Sequence, residues 1–343
     1  MTWISFSVRY LVNVEDLNNV ESAGNYVRHR RAPIVVKEND KTYSVTYVPA
    51  VSGEMIAHGY QANLADIATQ KGLPVEDLVK QGVLLKRGAG DSVHKSKCED
   101  KKGSDYEQCV ISEDVVEDVA GFMNPNKLIK RTSNIAFSYM IPALDTVKAS
   151  AIASQFQVRY ATKELIDEHK NENIQSLYNV ETASASYVLT GYLNLDGIGI
   201  TQNYPVKEVE CEGKSECRKD KEVECEGKSE CRKERMKCAL DSLTLTLTQF
   251  LFGAKRSRYN PLTEIEALVL SVSEKPFNIP PINGNIKEYL ELVRNTANSF
   301  GKVLGINTPT VVFYAKGVEG SKSNPVEVFE EYGKIKGDKE AGS

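Results

Sequence analysis

Apolar and polar residues alternate along several short stretches of the chain, and this alternation predicts β-strands. Residues 4–12 read ISFSVRYLV, with a large apolar side chain at most second positions. Further strand signals follow at 34–36, 43–48, 135–141, 155–160, 184–195, 267–272 and 310–314. The polar residues that alternate with apolar ones in 4–12 indicate a first strand rather than a signal peptide.

Apolar residues at helical spacing predict a helix over residues 54–70. Ile56, Tyr60 and Leu64 recur every fourth position, and Ser52 precedes them as a candidate N-cap. Two further helices are predicted at 240–250 and 286–303. Strands mixed with a few helices and long polar insertions favour an α+β sheet domain.

Three polar insertions interrupt these elements. Residues 86–112 have no periodicity, and 158–180 lie between two strand signals. Residues 207–219 repeat without change at 221–233, as KEVECEGKSECRK. Structural zinc sites usually use cysteine pairs two to four residues apart, whereas five residues separate these cysteines, so a solvated charged loop is expected.

The composition indicates a protein of the cytoplasm. The 343 residues are 41% hydrophobic, which allows one large domain or two small ones. No apolar run is long enough to span a membrane, so no membrane partner is expected. Seven cysteines, an odd number without a secretory signal, argue against a disulfide framework, although a hyperthermophilic source would permit disulfides.

Positive charge is clustered although the net charge is −4. Basic residues group in four loops, in which hydroxyl groups or an aromatic ring accompany them, and this combination suits a phosphate backbone. Each loop has an ordinary explanation too: a surface charge run, a helix cap, a polar hairpin end, or cations at a helix C-terminus. The residues concerned are Asn25, Arg28, His29, Arg30 and Arg31; Ser52, Gly53 and His58; Lys130, Arg131, Thr132 and Ser133; and Lys255, Arg256, Ser257 and Arg258.

Common catalytic motifs are absent. The sequence has no phosphate-binding P-loop, no dinucleotide fingerprint, no zinc-protease motif and no serine-hydrolase elbow. The expectation is therefore a binding protein rather than an enzyme, with no metal and no cofactor.

Taken together, these stretches resemble the backbone subunits of archaeal type I-A CRISPR Cascade, the seventh Cas protein family of the DevR-like RAMP superfamily. The resemblance runs in order from about residue 4 to about residue 272. Its matching stretches are VESAGNYVRHRRAP, VPAVSGEMIAHGYQANLADIA, GFMNPNKLIKRTSNIAFSYMIPA, QFQVRY, SLYNVETASASY and FGAKRSRYNP.

The resemblance implies a fold, a function and further site residues. The fold would be one modified RRM-like (ferredoxin-like) antiparallel palm over 1–343, with a finger insertion at 74–131, a thumb hairpin at 158–182 and the cysteine-containing insertion at 205–238. Gln157, Arg159 and Asn179 would join the RNA-binding residues. Gln157 stands where relatives of this kind carry histidine, and glutamine cannot act as a general acid or base near neutral pH. The partners would be CRISPR guide RNA, copies of the chain, other Cascade subunits and target DNA through the guide.

Three functions remain open at this point. The first is a guide-RNA scaffold that repeats along one RNA as a helical filament for antiviral defence. The alternative is a metal-dependent RNA endonuclease, because backbone subunits of type III systems resemble this family and can cut RNA. An unrelated small-molecule enzyme is the third, and no motif favours it.

Overall fold

The computed structural model describes residues 2–23, 26–88, 97–159, 162–163, 167, 176–209 and 230–330. Its strands are β1 (Trp3–Glu15), β2 (Asn19–Ala23), β3 (Tyr26–His29), β4 (Arg31–Lys37), β5 (Tyr43–Pro49), β6 (Phe122–Asn124), β7 (Ile129–Arg131), β8 (Ile135–Phe137), β9 (Ile141–Pro142), β10 (Ala151–Arg159), β11 (Ser176–Asn194), β12 (Leu262–Ser273) and β13 (Thr310–Ala315). Its helices are α1 (Gly53–Gln70), α2 (Asp77–Lys80), α3 (Gly103–Glu113), α4 (Val115–Ala120), α5 (Glu230–Thr248) and α6 (Ile286–Leu304). The expected mixed α+β class is confirmed.

One large sheet organises the chain, and β1 lies at its centre. The strands follow the order β13-β12-β1-β11-β3-β2, while β8, β9 and β10 also pair with β11. Neighbouring strands run antiparallel, apart from the short parallel pairing of β11 with β3. A separate hairpin, β4–β5, pairs Arg31 with Pro49 and Lys37 with Tyr43.

The main core lies between one face of this sheet and helices α1 and α5. Ile4, Phe6, Val8 and Tyr10 of β1 are fully buried there, as their alternation predicts. Helix α1 presents Ile56, Tyr60 and Leu64 to the same core. The α1 prediction is confirmed: the helix starts where the Ser52 hydroxyl accepts a hydrogen bond from the Met55 N–H.

The opposite face of the sheet is covered as well. Ser5 donates a hydrogen bond to the Phe277 carbonyl (2.7 Å), and the Ile282 N–H donates to the Ser7 hydroxyl (3.1 Å). Helix α6 packs over the same side with Tyr289. The polar side of the β1 alternation is therefore buried rather than solvated, because backbone groups of a covering loop satisfy its serines.

Two helical segments differ from the sequence predictions. Helix α3 occupies residues 103–113, and all but its last residue lies in the stretch 86–112 that lacks apolar periodicity. Helix α5 begins at Glu230 rather than near residue 240, so it includes the end of the second repeat copy. Its first turns were missed because buried arginines there look like surface residues: Arg232 and Arg235 are 8% and 0% exposed.

The structure contains disulfides, which the odd cysteine count argued against and which a hyperthermophilic source would permit. Cys98 and Cys109 form a disulfide with a Cα–Cα distance of 5.7 Å. Cys231 is disulfide-bonded too, while Cys238 is free and buried. Cys98, Cys109 and Cys231 lie in one small apolar cluster with Tyr106 and Phe122, beside α3.

No helix in the described part of the chain is long and apolar enough to cross a membrane.

Candidate nucleic-acid interface

The last residue of β1 and the turn after it, residues 15–18 and hereafter the β1 turn, anchor three of the four candidate segments, two of which are rich in arginine or lysine. The Asn18 backbone carbonyl accepts a hydrogen bond from the Arg30 N–H at 2.8 Å. The Asn18 side-chain oxygen accepts another from the Ser52 N–H at 2.8 Å. The Leu17 carbonyl accepts the Ala254 N–H at 2.8 Å. Loops that are more than two hundred residues apart in the sequence are thereby brought to one place.

Lys255 is tied to the same turn by charge. Its ammonium lies 3.5 Å from the Asp16 carboxylate, which is buried while the lysine side chain is one-third exposed. Burial raises the pKa of Asp16, and the Lys255 charge only partly opposes it. Lys255 therefore pairs with the Asp16 carboxylate of the turn, and its exposed part is available to an anion that approaches the loop.

The remaining residues of this loop are more exposed. Arg256 is half-buried and reaches Asn260 at 3.4 Å, whereas Ser257 and Arg258 are exposed. Tyr259 accepts a hydrogen bond at 3.0 Å from Gln157 of β10, so the loop touches the strand that was predicted to enter the thumb. Phe156 and Val158 on that strand are 71% and 60% exposed, and they project to the face of the strand opposite Gln157.

His29 corrects one prediction. Its side chain is fully buried, with Nε2 2.6 Å from the Glu15 carboxylate, an ion pair when the histidine is protonated, and Nδ1 2.8 Å from the Arg30 carbonyl. Burial alone would lower the pKa of His29, but the contact with the Glu15 carboxylate outweighs it and the pKa is raised. His29 holds the loop to the β1 turn from inside and does not face an RNA.

Arg131 corrects a second prediction. Its guanidinium is fully buried between Glu107 (2.8 Å) and Asp118 (2.5 Å), and Asp118 also pairs with Arg235 (3.0 Å). Buried arginine charge requires such partners, whereas a phosphate contact requires an open guanidinium. Arg131 is thus part of the interior that joins β7, α3, α4 and α5.

The neighbours of Arg131 are not joined to the other three loops by any contact seen in the described residues. Lys130 and Thr132 are exposed, but the Thr132 N–H donates to Gln202 at 2.8 Å. The Ser133 hydroxyl donates to the Ile135 carbonyl at 2.7 Å. These contacts belong to a polar hairpin end, which was the ordinary explanation for this loop.

The start of α1 fulfils its capping role. Ser52 is 3% exposed, so its hydroxyl caps the helix rather than facing solvent. A side chain at Gly53 would clash with the Phe137 carbonyl, so a glycine is needed for this close approach. His58 lies exposed one turn further along the helix.

Glu181, on β11, accepts hydrogen bonds from residues 26–31, hereafter the first loop, which comprise β3 and the start of β4. Its carboxylate accepts hydrogen bonds from the Tyr26 hydroxyl (2.7 Å), the His29 N–H (3.0 Å) and the Arg31 guanidinium (3.0 Å). Burial would raise the pKa of Glu181, but these three donors together lower it. The carboxylate is buried, while the Arg31 side chain is half exposed.

Asn179 and Arg28 lie beside this carboxylate. Asn179 pairs with Tyr26 across the parallel β11–β3 contact, and its side-chain oxygen is buried without a hydrogen-bond partner in the described structure. The Arg28 guanidinium lies 5.6 Å from the centre of the Tyr26 ring. Asn25 lies outside the described residues, and Arg159 is described only as the last backbone position of β10.

Residues that the sequence predictions missed are mainly acceptors. Asp16 and Asn18 organise the loops but carry no positive charge, so a search for cations passes over them. The polar run EDLNN directly after an apolar strand was the available signal.

Within the described residues, one group of three potential metal ligands lies together. It consists of Cys98, Cys109 and Glu113, and its two cysteines are joined as a disulfide. None of the three belongs to the loops around the β1 turn.

Comparison with known proteins decides the family. A model of the family described as CRISPR-associated negative auto-regulator DevR/Csa2 matches residues 6–294. The chain belongs to this Cas7/Csa2 family. A curated relative from Saccharolobus solfataricus, CRISPR-associated protein Cas7/Csa2 1, is 66% identical over 328 residues, which cover 95% of this chain and 96% of the relative.

More distant relatives of this Cas7/Csa2 chain agree. The CRISPR-associated aCascade subunit Cas7/Csa2 2 of the same organism is 35% identical and covers 88% of each chain. A chain of a solved CRISPR RNA-guided surveillance complex, pre-nicking, shares the fold with a TM-score of 0.50. It is 9% identical, and the match covers 97% of this chain and 99% of that one.

Proposed function

We propose that this Cas7/Csa2 chain binds single-stranded guide RNA along its sugar–phosphate backbone, without cutting it, and repeats along that RNA in a Cascade-type complex. The observation that supports this most directly is the convergence on the β1 turn of two basic segments, 25–31 and 255–258, together with the start of α1 at Ser52. The exposed donors there are guanidinium, ammonium and hydroxyl groups, which suit phosphate and sugar rather than base edges.

The strand order supports an RRM-like palm. Strands β12-β1-β11-β8 are neighbours in this order and run antiparallel, with α1 between β1 and β8 in sequence and α5 between β11 and β12. This order supports the proposal of a βαββαβ arrangement like that of ferredoxin-like domains. RRM proteins stack bases on the open sheet face, but here the 277–282 loop and α6 cover that face. RNA is therefore proposed to lie on the loops.

The remaining partners follow from the relatives. One relative is named an aCascade subunit and one solved neighbour is an RNA-guided surveillance complex. We extend this to the present chain as contacts with its own copies and with other Cascade subunits, and with target DNA through the guide, in the cytoplasm. A contact that does not close on itself would give an open helical filament, whose length the RNA limits.

Absence of cleavage is part of the proposal. His29 is buried against Glu15, and Gln157 donates to Tyr259, so neither is placed as an open proton donor and acceptor. RNA that copurifies with the protein is expected at one fixed length and should stay intact when divalent metal is added. Metal-dependent shortening of that RNA would favour the endonuclease instead.

Binding by the 255–258 loop is tested with Arg256→Ala plus Arg258→Ala. Hydrogen bonds to charged groups contribute roughly 1.5–3 kcal/mol each, so the affinity for RNA is expected to fall at least tenfold. Lys287→Ala plus Lys302→Ala on α6 removes two exposed cations elsewhere and serves as the control. Filter binding, thermal melting and size exclusion with and without RNA are measured. If the double variant melts like the parent and binds RNA with unchanged affinity, the cations of this loop do not bind RNA, and the loop only caps the C-terminus of α5.

A further inference from the structure

Arg31 of the first loop has a fixed direction because the buried Glu181 carboxylate lies behind its guanidinium. Arg31 is half exposed, yet one of its guanidinium nitrogens donates to Glu181 at 3.0 Å. An arginine has five N–H donors, so the nitrogens that do not face Glu181 stay available to a second acceptor. The guanidinium is thus directed on one side and open on the other.

Glu181 is placed by backbone pairing rather than by its own flexibility. Val180 pairs with Val27 in the parallel β11–β3 contact, which brings the next residue of β11 beside the first loop. Its second oxygen accepts the His29 N–H at 3.0 Å, and this fixes the plane of the carboxylate. The first oxygen then receives both the Tyr26 hydroxyl and Arg31.

We infer that Glu181 is a positioning residue for RNA: it sets the direction of Arg31 and Tyr26 so that both meet the sugar–phosphate backbone of one nucleotide stretch. This rests on the proposed function and names which part of the first loop performs it. Pre-ordering a long arginine side chain raises affinity, because the side-chain entropy is lost on folding rather than on binding.

An opposite role for Glu181 is physically reasonable and must be separated from this one. A carboxylate 3.0 Å from Arg31 also cancels positive charge that would attract phosphate. If neutralisation dominated, removing the charge would tighten RNA binding. If Glu181 only supported the fold, removing it would lower the melting temperature and leave the affinity of the folded protein unchanged.

The test is Glu181→Gln in the full-length chain, alone and combined with Arg31→Ala. Glutamine keeps the shape but presents an amide N–H₂ group to donors, so at least one of the three contacts is lost. Affinity for a mixed-sequence single-stranded RNA is expected to fall about tenfold for Glu181→Gln, as for the loss of one charge-assisted hydrogen bond. In the Glu181→Gln background, Arg31→Ala should then lower the affinity by less than a further ~2-fold, because coupled residues are not additive.

The salt dependence gives a readout that a structural role would not move. Each phosphate neutralised on a single strand contributes about −0.7 to the slope of log affinity against log salt. Glu181→Gln should make this slope less negative by about 0.7, and Arg31→Ala should do the same. Asp241→Asn is the control, because this carboxylate likewise pairs with a cation, Lys71, but lies at the end of α1 opposite Ser52.

The outcomes separate the two proposals. A parent protein that does not bind RNA at all overturns the proposed function and this inference together. If the parent binds RNA, three results overturn only the positioning role. They are additive losses of affinity for the two variants, tighter binding by Glu181→Gln, and a changed melting temperature without a change in affinity.

Discussion

Single residues of one type have opposite roles in this chain, and their local sequence does not tell them apart. Lys130 and Arg131 are adjacent in one basic pair, yet Lys130 is exposed and Arg131 is fully buried between two carboxylates. The partners, Glu107 and Asp118, come from α3 and α4, so only the tertiary structure brings them to Arg131. A prediction from charge alone therefore placed both residues on the RNA.

Arg131→Met is expected to lower the free energy of unfolding by on the order of 3–5 kcal/mol. It leaves Glu107 buried without a counter-charge, and Asp118 keeps only its pair with Arg235. Lys130→Met removes the neighbouring cation from the surface and should change stability by less than about 0.5 kcal/mol. Chemical denaturation of both variants measures the difference. Equal stabilities would mean that the buried network contributes nothing.

His29 should make stability depend on pH. Its pKa is raised in the folded protein, so its contribution is present below the usual histidine value of 6.5 and is lost as the pH rises through the higher native value. His29→Gln is expected to cost on the order of 3 kcal/mol at about pH 6, and less at about pH 9. The measurement is the free energy of unfolding against pH.

His58→Gln, on the exposed side of α1, is the control for this pH series and should follow the parent throughout. A pH-independent gap between the parent and His29→Gln would contradict a charged, buried His29.

At the scale of whole elements, the sequence was informative where apolar spacing is regular and uninformative where buried residues are polar. Helix α1 could be predicted almost to the residue from its apolar spacing and its N-cap. The first turns of α5 could not, because they contain the charged end of the repeat. The predicted insertion at 205–238 consequently overlaps a helix whose Arg235 is fully buried.

The packed end of the repeat can be tested with two adjacent residues. Arg232 donates to the Ile198 carbonyl (2.7 Å) and to the Asp196 carbonyl (2.5 Å), whereas Lys233 is exposed. Arg232→Ala should cost roughly 1–3 kcal/mol, because two acceptors lose their donor. Lys233→Ala should be neutral within about 0.5 kcal/mol. Thermal melts of the two variants give the comparison.

Removal of the entire segment 207–233 is accordingly expected to destabilise the fold, contrary to the interpretation of the repeat as a solvated loop. It would remove Arg232 and the buried side chains of Val209 and Cys231. A deletion variant that melts like the parent would show that these contacts are dispensable.

For the whole molecule, the alternation along β1 predicted a first strand, and the resemblance predicted the family. Neither predicted that three of the loops meet while the fourth does not. That grouping depends on Asp16, Leu17 and Asn18. Among the described residues, two of their four contacts with these loops are made by backbone carbonyls, which have no sequence signature. The position of a loop in the sheet order, rather than its composition, decided which basic runs share a surface.

The β1 turn also has a consequence for motion. The amides of Arg30, Ser52 and Ala254 donate to acceptors on only two adjacent residues, Leu17 and Asn18. Amides that share one anchor should exchange with deuterium as one cooperative unit, with similar protection factors. Asn18→Ala should speed exchange at all three, with Ser52 affected most because it loses its acceptor. Independent rates at the three positions would mean that each loop opens by itself, and an RNA held by them could then be released one contact at a time.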